Sequence, residues 1–418
     1  MQKLIIKGNK KLSGSINISG SKNATLPILA ATLLTDKVVT LKNVPFVQDV
    51  HTMINLLKFI GLNIEISKKS KTLKISSNRE LKTIAPYNLL KTMRAGVLVL
   101  GPLLAKYKKA KVSLPGGCAI GARPVNLHLF ALEKLGAKIK IKNGYIHATA
   151  KNGLKGNIIK FPFISVGATE NAILAAVSAK GKTIISNCAI EPEIQDMIVF
   201  LKKLGCNINL VGKRKISIIG TTEFKSTTHD VIFDRIELGT YVIAAALVGK
   251  KIIFLKIKTK IIETELKLLK RMGVKMEINK NKIIVFESGK INSVNIKTDS
   301  YPGFPTDLQA QIMVLMLKAS GISKITENIF ENRFMHVPEL RRMGAKIIIK
   351  NNIAFVTGPT NLSGAEVMAT DLRASVSLVL AALIADNRTV INRIYHLDRG
   401  YENLEKKLKK CKANINRV

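Results

Sequence analysis

One short pattern returns six times along the 418 residues, at nearly even spacing. It reads as two apolar residues, charged spacers, a glycine and then an alternating apolar–polar run. The copies are LLKFIGLNIEI at Leu56, ALEKLGAKIKI at Ala131, FLKKLGCNINL at Phe200, LLKRMGVKMEI at Leu268, ELRRMGAKIII at Glu339 and KLKKCKANINR at Lys407. Five carry the glycine, at Gly61, Gly136, Gly205, Gly273 and Gly344, and the sixth has Lys412 there, so the intervals are 75, 69, 68, 71 and 68. Internal repetition at a fixed period decides an architecture before any local reading does. Each copy predicts the end of an amphipathic helix, a glycine stop and a half-buried strand.

A second set of segments interleaves with the first. Residues 24–34, 92–105, 168–179, 236–248, 306–319 and 372–385 are apolar and rich in small residues. Helices apolar nearly all round are buried. A strand follows several of them, as in VVTLKNV at Val38, AKVSLPGG at Ala110 and RTVINRIYHLDRG at Arg388. Each unit of about 70 residues therefore holds one buried helix, one more exposed helix and several strands. Six units suggest an α/β fold of two pseudo-threefold domains.

The buried segments open with SGSKNAT, KTMRAG, SVGATE, DRIELG, FPTDLQA and DLRASV, which place Lys22, Asn23, Arg94, Ser165, Asp234, Arg235, Asp307, Asp371 and Arg373 at or near helix starts. Ordinary capping accounts for Ser, Asp and Asn there. It does not account for Lys22, Arg94, Arg235 and Arg373, since a cation opposes the positive helix end. Four cations at six starts point to a ligand bearing several negative charges.

The stretch SLPGGCAIGARPVNLH, Ser113 to His128, is the other candidate for chemistry. Cys118 lies among Gly116, Gly117 and Gly121, just before Arg123-Pro124. A thiol of ordinary pKa is mostly protonated at neutral pH and can donate a proton. Arginine can fork onto a phosphate or carboxylate. An inert glycine-rich surface loop is the alternative on these residues alone.

Charge has two readings. The formal net charge of +39 suits a nucleic-acid binder or a solvated surface of drifted composition. The lysines are spread along the chain, and aromatic residues are 5% with no Trp, too few for stacking platforms. No nucleic-acid partner is expected. The longest apolar runs, near ten residues as at Val376 to Ala385, are short of the roughly 20 that span a bilayer. Cys118, Cys188, Cys206 and Cys411 form no CxxC pair, so neither a disulfide framework nor a zinc ribbon is expected and a reducing cytoplasm fits.

Taken together, SGSKNATLPILAATLL, KTMRAG, LPGGCAIGARPV, FPTDLQAQ, TENIFENRFMHVPELRRMGA, ATDLRAS and RIYHLDRGYE resemble, in order and over the whole chain, the enolpyruvyl transferases that act on sugar nucleotides. The resemblance implies two inverted, barrel-like α/β domains of three repeats each with a site between them. It divides the chain into residues 1–21 with 233–418, and 22–232. It implies transfer of the enolpyruvyl group of phosphoenolpyruvate to the 3′-hydroxyl of UDP-N-acetylglucosamine with release of phosphate, a step toward peptidoglycan, with no cofactor and no metal.

The same resemblance assigns roles. Cys118 would protonate the vinyl carbon and Asp307 would take the hydroxyl proton, the pair reversing as phosphate leaves. Lys22, Asn23, Arg123, Arg373 and Arg399 would hold phosphoenolpyruvate, Lys22 and Arg399 acting catalytically as well. Arg94, Arg123, Pro124, Val125, Asn126, Leu127, Ser165, Val166, Gly167, Asp307 and Ile329 would contact the sugar nucleotide. The glycine-rich Cys118 loop would close over bound substrate, and an epoxide phosphonate such as fosfomycin would alkylate Cys118. Departures from the family pattern are Asn126 for Asp, Phe163 and Gln48 for Lys, and Gly96 for Ser. Read singly, Asp307 is an N-cap, His128, His336 and His396 are structural histidines, and Asp371-Arg373 and Asp398-Arg399 are ion pairs. Glu191 and Glu193 read as loop charges that the family places near the cleft. A shikimate-phosphate enolpyruvyl transferase is the alternative within the family, but it uses no such loop cysteine.

Overall fold

A computed structural model describes residues 2–77, 80–116 and 125–418. The chain separates into two compact units, with the boundaries between Ser19 and Gly20 and between Ile232 and Phe233. The central unit is drawn from Gly20 to Ile232, and the terminal unit joins the chain start to Phe233–Val418.

Each unit has its own apolar core and three four- or five-stranded sheets, all six built to one plan. In the central unit, Ile158–Lys160 runs parallel to Lys182–Ser186, and the Val166–Ala176 helix crosses between them. Lys182–Ser186 then pairs antiparallel with Lys215–Ile219, which pairs antiparallel with Asn207–Gly212. A parallel pair needs such a crossover, because a tight turn cannot return the chain in the same direction.

The two ends of the plan are closed by distant segments. In the central unit Thr227–Asp230 lies parallel to Val39–Lys42. In the terminal unit the chain start supplies two strands: Leu12–Ile16 lies parallel to Gly249–Leu255, and Leu4–Lys7 sits between Arg388–Asn392 and Asn414–Arg417.

The crossover helices are buried because their sequences leave no polar face. All 14 residues of Arg235–Val248 are buried, as are nine of the ten in Lys22–Ala31. The second helix of each unit is amphipathic. In Glu263–Arg271, Leu266, Leu268 and Leu269 face inward while Glu263 and Lys267 pair in solvent. The five marker glycines have φ between 90° and 129°, a region that a β-carbon disfavours. Lys412 adopts the same turn at φ 74° without that freedom.

Three helix starts differ from the sequence expectation. The segment expected to be helical from Thr92 instead holds a 3-10 turn over Arg94–Val99, and the α-helix is Leu100–Tyr107. Thr306–Leu308 is likewise a 3-10 turn before Gln309–Met316. The last crossover helix begins at Ser375, three residues beyond Leu372, after a turn over 372–374 in which the Asp371 side chain accepts from the N–H groups of Arg373 and Ala374. Among the described residues no helix is long and apolar enough to cross a membrane.

Candidate active site

The expected catalytic and binding residues fall into both units, each of which presents its own set. Cys118, Arg123 and Pro124 lie outside the described residues.

In the terminal unit the helix starts converge. Asp234 caps Arg235–Val248, accepting from the N–H groups of Ile236 and Glu237, both at 2.9 Å. Arg373 Nη2 lies 3.8 Å from Asp234 Oδ2, and Arg373 Nε lies 3.4 Å from Asp307 Oδ2. The guanidinium is 2% exposed, yet Nε, Nη1 and Nη2 have no hydrogen-bond partner among the described residues. Burial opposes its charge, but Asp234, Tyr401 and Asp307 outweigh burial and raise its pKa above the ordinary arginine value. A buried cation with unspent donors favours an anion brought to it.

Asp307 is not an N-cap. It lies inside the 3-10 turn, and no side chain caps that turn. Its Oδ1 accepts from Arg333 Nη2 at 2.8 Å, and the side chain is 27% exposed. Arg373 therefore pairs with Asp234 and Asp307, while Asp371 serves as a backbone cap. Asp398 bonds Arg417 at 2.6 and 3.0 Å, not its neighbour Arg399. Arg399 is half-buried after the short Tyr395–Asp398 turn, and its charge adds to burial in lowering the pKa of His396. Ile329 is 37% exposed, and its N–H is donated to Glu327 Oε1 at 2.9 Å. His336 is fully buried, which lowers its pKa to about 4, with Arg333 adding to the effect and Asp371 opposing it.

In the central unit one helix-start cation has a buried carboxylate partner. Ser21 caps the first crossover helix through Ala24 N–H at 3.3 Å. The next residue, Lys22, donates to Asp49 Oδ2 at 3.0 Å, both side chains at most 8% exposed. Asn23 is half-buried beside it. Ser165 caps Val166–Ala176 through Ala168 N–H at 3.4 Å, leaving Val166 39% exposed. Gly167 lies against His128; a β-carbon there would stand 3.1 Å from His128 Cε1.

His128 Nδ1 is 3.1 Å from Asn171 Nδ2, an amide donor, so Nδ1 accepts and the proton belongs on Nε2. Burial, with Arg94 second, lowers the His128 pKa to about 4, and the ring is neutral at pH 7. Leu127 is buried, Asn126 is exposed at the first position of Asn126–Lys134, and Val125 is half-buried before it. Glu191 and Glu193, expected as loop charges, are buried at 8% and 3%. With burial itself, they raise the pKa of Glu170 well above the carboxylate range.

The departures from the family pattern have local explanations in part. Gly96 packs against Leu90, whose Cγ would stand 2.7 Å from a β-carbon there. Phe163 is 58% exposed and Gln48 is exposed at the start of its helix. Sequence reasoning missed Arg333, Asp49, Asn171 and Glu170 as site neighbours. Arg333 stood inside a recognised motif, RFMHVPELRRMGA, and Glu170 ends the helix opening SVGATE; nothing local marked Asp49 and Asn171. No group of three or more His, Cys, Asp or Glu side chains among the described residues is placed to hold a metal ion.

Residues 6–408 match the family model described as EPSP synthase (3-phosphoshikimate 1-carboxyvinyltransferase). The chain is 60% identical over 418 residues to UDP-N-acetylglucosamine 1-carboxyvinyltransferase of Pelagibacter ubique, with 100% of both chains covered. It is 54% identical over 420 residues to the protein of that name from Rickettsia prowazekii, again with 100% of both covered. Its fold is similar to the enolpyruvyl transferase NikO from Streptomyces tendae, with TM-score 0.91 at 24% identity, covering 100% of this chain and 99% of that one. EPSP synthase from Acinetobacter baumannii follows at TM-score 0.78 and 17% identity, with the same coverage.

Proposed function

Because the chain belongs to the EPSP synthase (3-phosphoshikimate 1-carboxyvinyltransferase) family of enolpyruvyl transferases, we propose that it moves the enolpyruvyl group of phosphoenolpyruvate onto the 3′-hydroxyl of UDP-N-acetylglucosamine. The observation that carries this reading is the Asp307 carboxylate, partly open to solvent, beside the buried guanidinium of Arg373 with its unspent donors. A base and an anion-holding cation side by side suit attack of a hydroxyl on a phosphorylated, carboxylated alkene.

In this reading Cys118 gives its proton to the terminal vinyl carbon while Asp307 takes the hydroxyl proton. The sugar oxygen bonds to the central carbon. The pair then acts with reversed roles, taking a proton from the methyl carbon of the intermediate and giving one to the departing phosphate as its carbon–oxygen bond breaks. Arg373, with Lys22, Asn23, Arg123 and Arg399, stabilises the phosphate and carboxylate as charge shifts. The sugar nucleotide is held by Arg94, Arg123, Pro124, Val125, Asn126, Leu127, Ser165, Val166, Gly167 and Ile329, with Asp307 at its reacting hydroxyl. Gly167 leaves room for the neutral His128 ring beside this segment. The product would enter peptidoglycan synthesis. The buried free thiols Cys188, Cys206 and Cys411 support a cytoplasmic location.

The test is phosphate release from phosphoenolpyruvate with UDP-N-acetylglucosamine or shikimate 3-phosphate as acceptor, for the native chain, Cys118→Ser and Asp307→Ala. Release with the sugar nucleotide alone, depressed in both variants, is the expected result. Turnover with shikimate 3-phosphate, or full activity of Asp307→Ala, would overturn the reading. A fosfomycin adduct on a cysteine other than Cys118 would count against the acid assignment.

A further inference from the structure

We infer that Arg333 is a positioning residue for the Asp307 carboxylate, and that Glu327, through Thr306, ties this pair to the segment carrying Ile329. The inference deepens the proposed function, since it rests on Asp307 being the base.

Arg333 is 3% exposed. Its Nε and Nη2 both donate to the Thr306 carbonyl, at 3.4 and 3.3 Å, and Nη2 also donates to Asp307 Oδ1 at 2.8 Å. The same guanidinium thus grips the backbone just before Asp307 and one oxygen of its side chain. A planar fork fastened at both points fixes the rotamer of the carboxylate more firmly than a single contact could. The other oxygen, Oδ2, faces Arg373 Nε at 3.4 Å.

The fork is itself anchored. Thr306 Oγ1 donates to Glu327 Oε2 at 3.0 Å. The other oxygen, Oε1, accepts from the backbone N–H groups of Ile329 and Phe330 at 2.9 and 3.2 Å. Glu327 is 3% exposed, so these bonds are shielded from water. One carboxylate therefore joins the turn that holds Asp307 to the segment 329–330. A ligand that moves or fixes Ile329 bears on the base through two shared hydrogen-bonding groups. Small misplacements of a reacting group are costly: about 1 Å can remove roughly 10²-fold in rate.

The experiment is a double-variant comparison in the full-length enzyme, with kcat, KM for each substrate and Tm measured for Arg333→Met, Arg333→Lys, Asp307→Ala and Asp307→Ala with Arg333→Met. Arg333→Met should lower kcat roughly 10²-fold with KM for phosphoenolpyruvate changed far less, and Arg333→Lys should recover part of the loss. In the Asp307→Ala background, Arg333→Met should lower kcat no more than about twofold, because its route to the chemistry is gone. Equal losses in the two backgrounds would overturn the inference, as would a fall in Tm with kcat unchanged. If Asp307→Ala keeps native turnover, the base assignment itself fails, which is a different result from additivity. Glu327→Gln keeps the shape but weakens acceptance by Oε1 or Oε2. It should raise KM for the sugar nucleotide as well as lower kcat; a change in neither would remove Glu327 from the chain of contacts.

Discussion

The helix starts of the two units are polar in opposite ways. The terminal unit opens its crossover helices with Asp234, Asp307 and Asp371, and threads Arg333 and Arg373 among the first two. The central unit opens two of its three with Ser21 and Ser165 and follows Met93 with Arg94. Carboxylates at a positive helix end are stabilised there, and neighbouring guanidinium groups balance them. Serine caps leave the helix end itself positive. One threefold plan, repeated twice, thus carries carboxylates with arginines at the helix starts of one unit and serine caps at two helix starts of the other. The backbone plan sets where the helix starts lie; the residue at each start sets what it does.

The largest effect that would break this contrast is on turnover. Asp307→Ala should lower kcat by about 10²- to 10⁴-fold, the usual range for a general base, whereas Ser21→Ala should cost about 1 kcal/mol of stability and leave kcat within a few-fold. Steady-state phosphate release and thermal melts separate the two, and similar losses of kcat in both would erase the distinction.

Next comes the Lys22–Asp49 pair, in which the buried ammonium depends on a buried carboxylate. Asp49→Ala should destabilise the central unit by up to about 3–5 kcal/mol, since removing one partner of a buried ion pair leaves the other charge less compensated. Denaturant unfolding measures it, and a loss under 1 kcal/mol would mean that the pair is not the main support of Lys22.

The histidines sharpen the contrast through pH. His336 is fully buried with a pKa of about 4, below the ordinary 6.5. Between those values the unfolded chain holds the proton and the folded one does not. Stability therefore rises with pH across that window and falls on acidification. The gap is worth about 3 kcal/mol. Glu170 and Glu237 act in the opposite sense, because burial raises their pKa values and stability is lost as pH rises above the carboxylate range. The difference between native chain and His336→Gln isolates the histidine: the gap in unfolding free energy between pH 7 and pH 4.5 should shrink in the variant. An unchanged gap would contradict a neutral buried ring. In the central unit His128→Gln should act in the same direction.

The smallest effect concerns the repeat marker. Gly136 has φ 93° with nothing within 4 Å of a β-carbon, and Lys412 has φ 74°. Gly136→Ala should cost about 1 kcal/mol from backbone strain alone, and Lys412→Gly should gain less than that, because added glycine loses more entropy on folding. Melts of both variants decide, and a stabilising Gly136→Ala would contradict the left-handed turn.

Much of the architecture was legible in the chain. The even markers predicted the six helix–turn–strand units, and every described marker adopts a positive φ, Lys412 included. The alanine-rich segments were read as buried helices, and they are. Their starts were read less well: Thr92 and Leu372 look helical by composition, but a 3-10 turn at Arg94 and a turn over 372–374 precede the α-helices. Glu191 and Glu193 looked solvated because their neighbours in sequence are polar, yet the fold buries both beside Glu170.

What the sequence by itself determined is what a window of ten or so residues can encode: helix period, strand alternation and a glycine where the chain must turn. Tertiary structure alone decided which charges meet. Arg333 reaches Asp307 across 26 positions, and Lys22 reaches Asp49 across 27. Arg373 bypasses its neighbour Asp371 for Asp234 and Asp307. Such partners depend on the direction in which side chains leave packed helices, and no local pattern carries that direction.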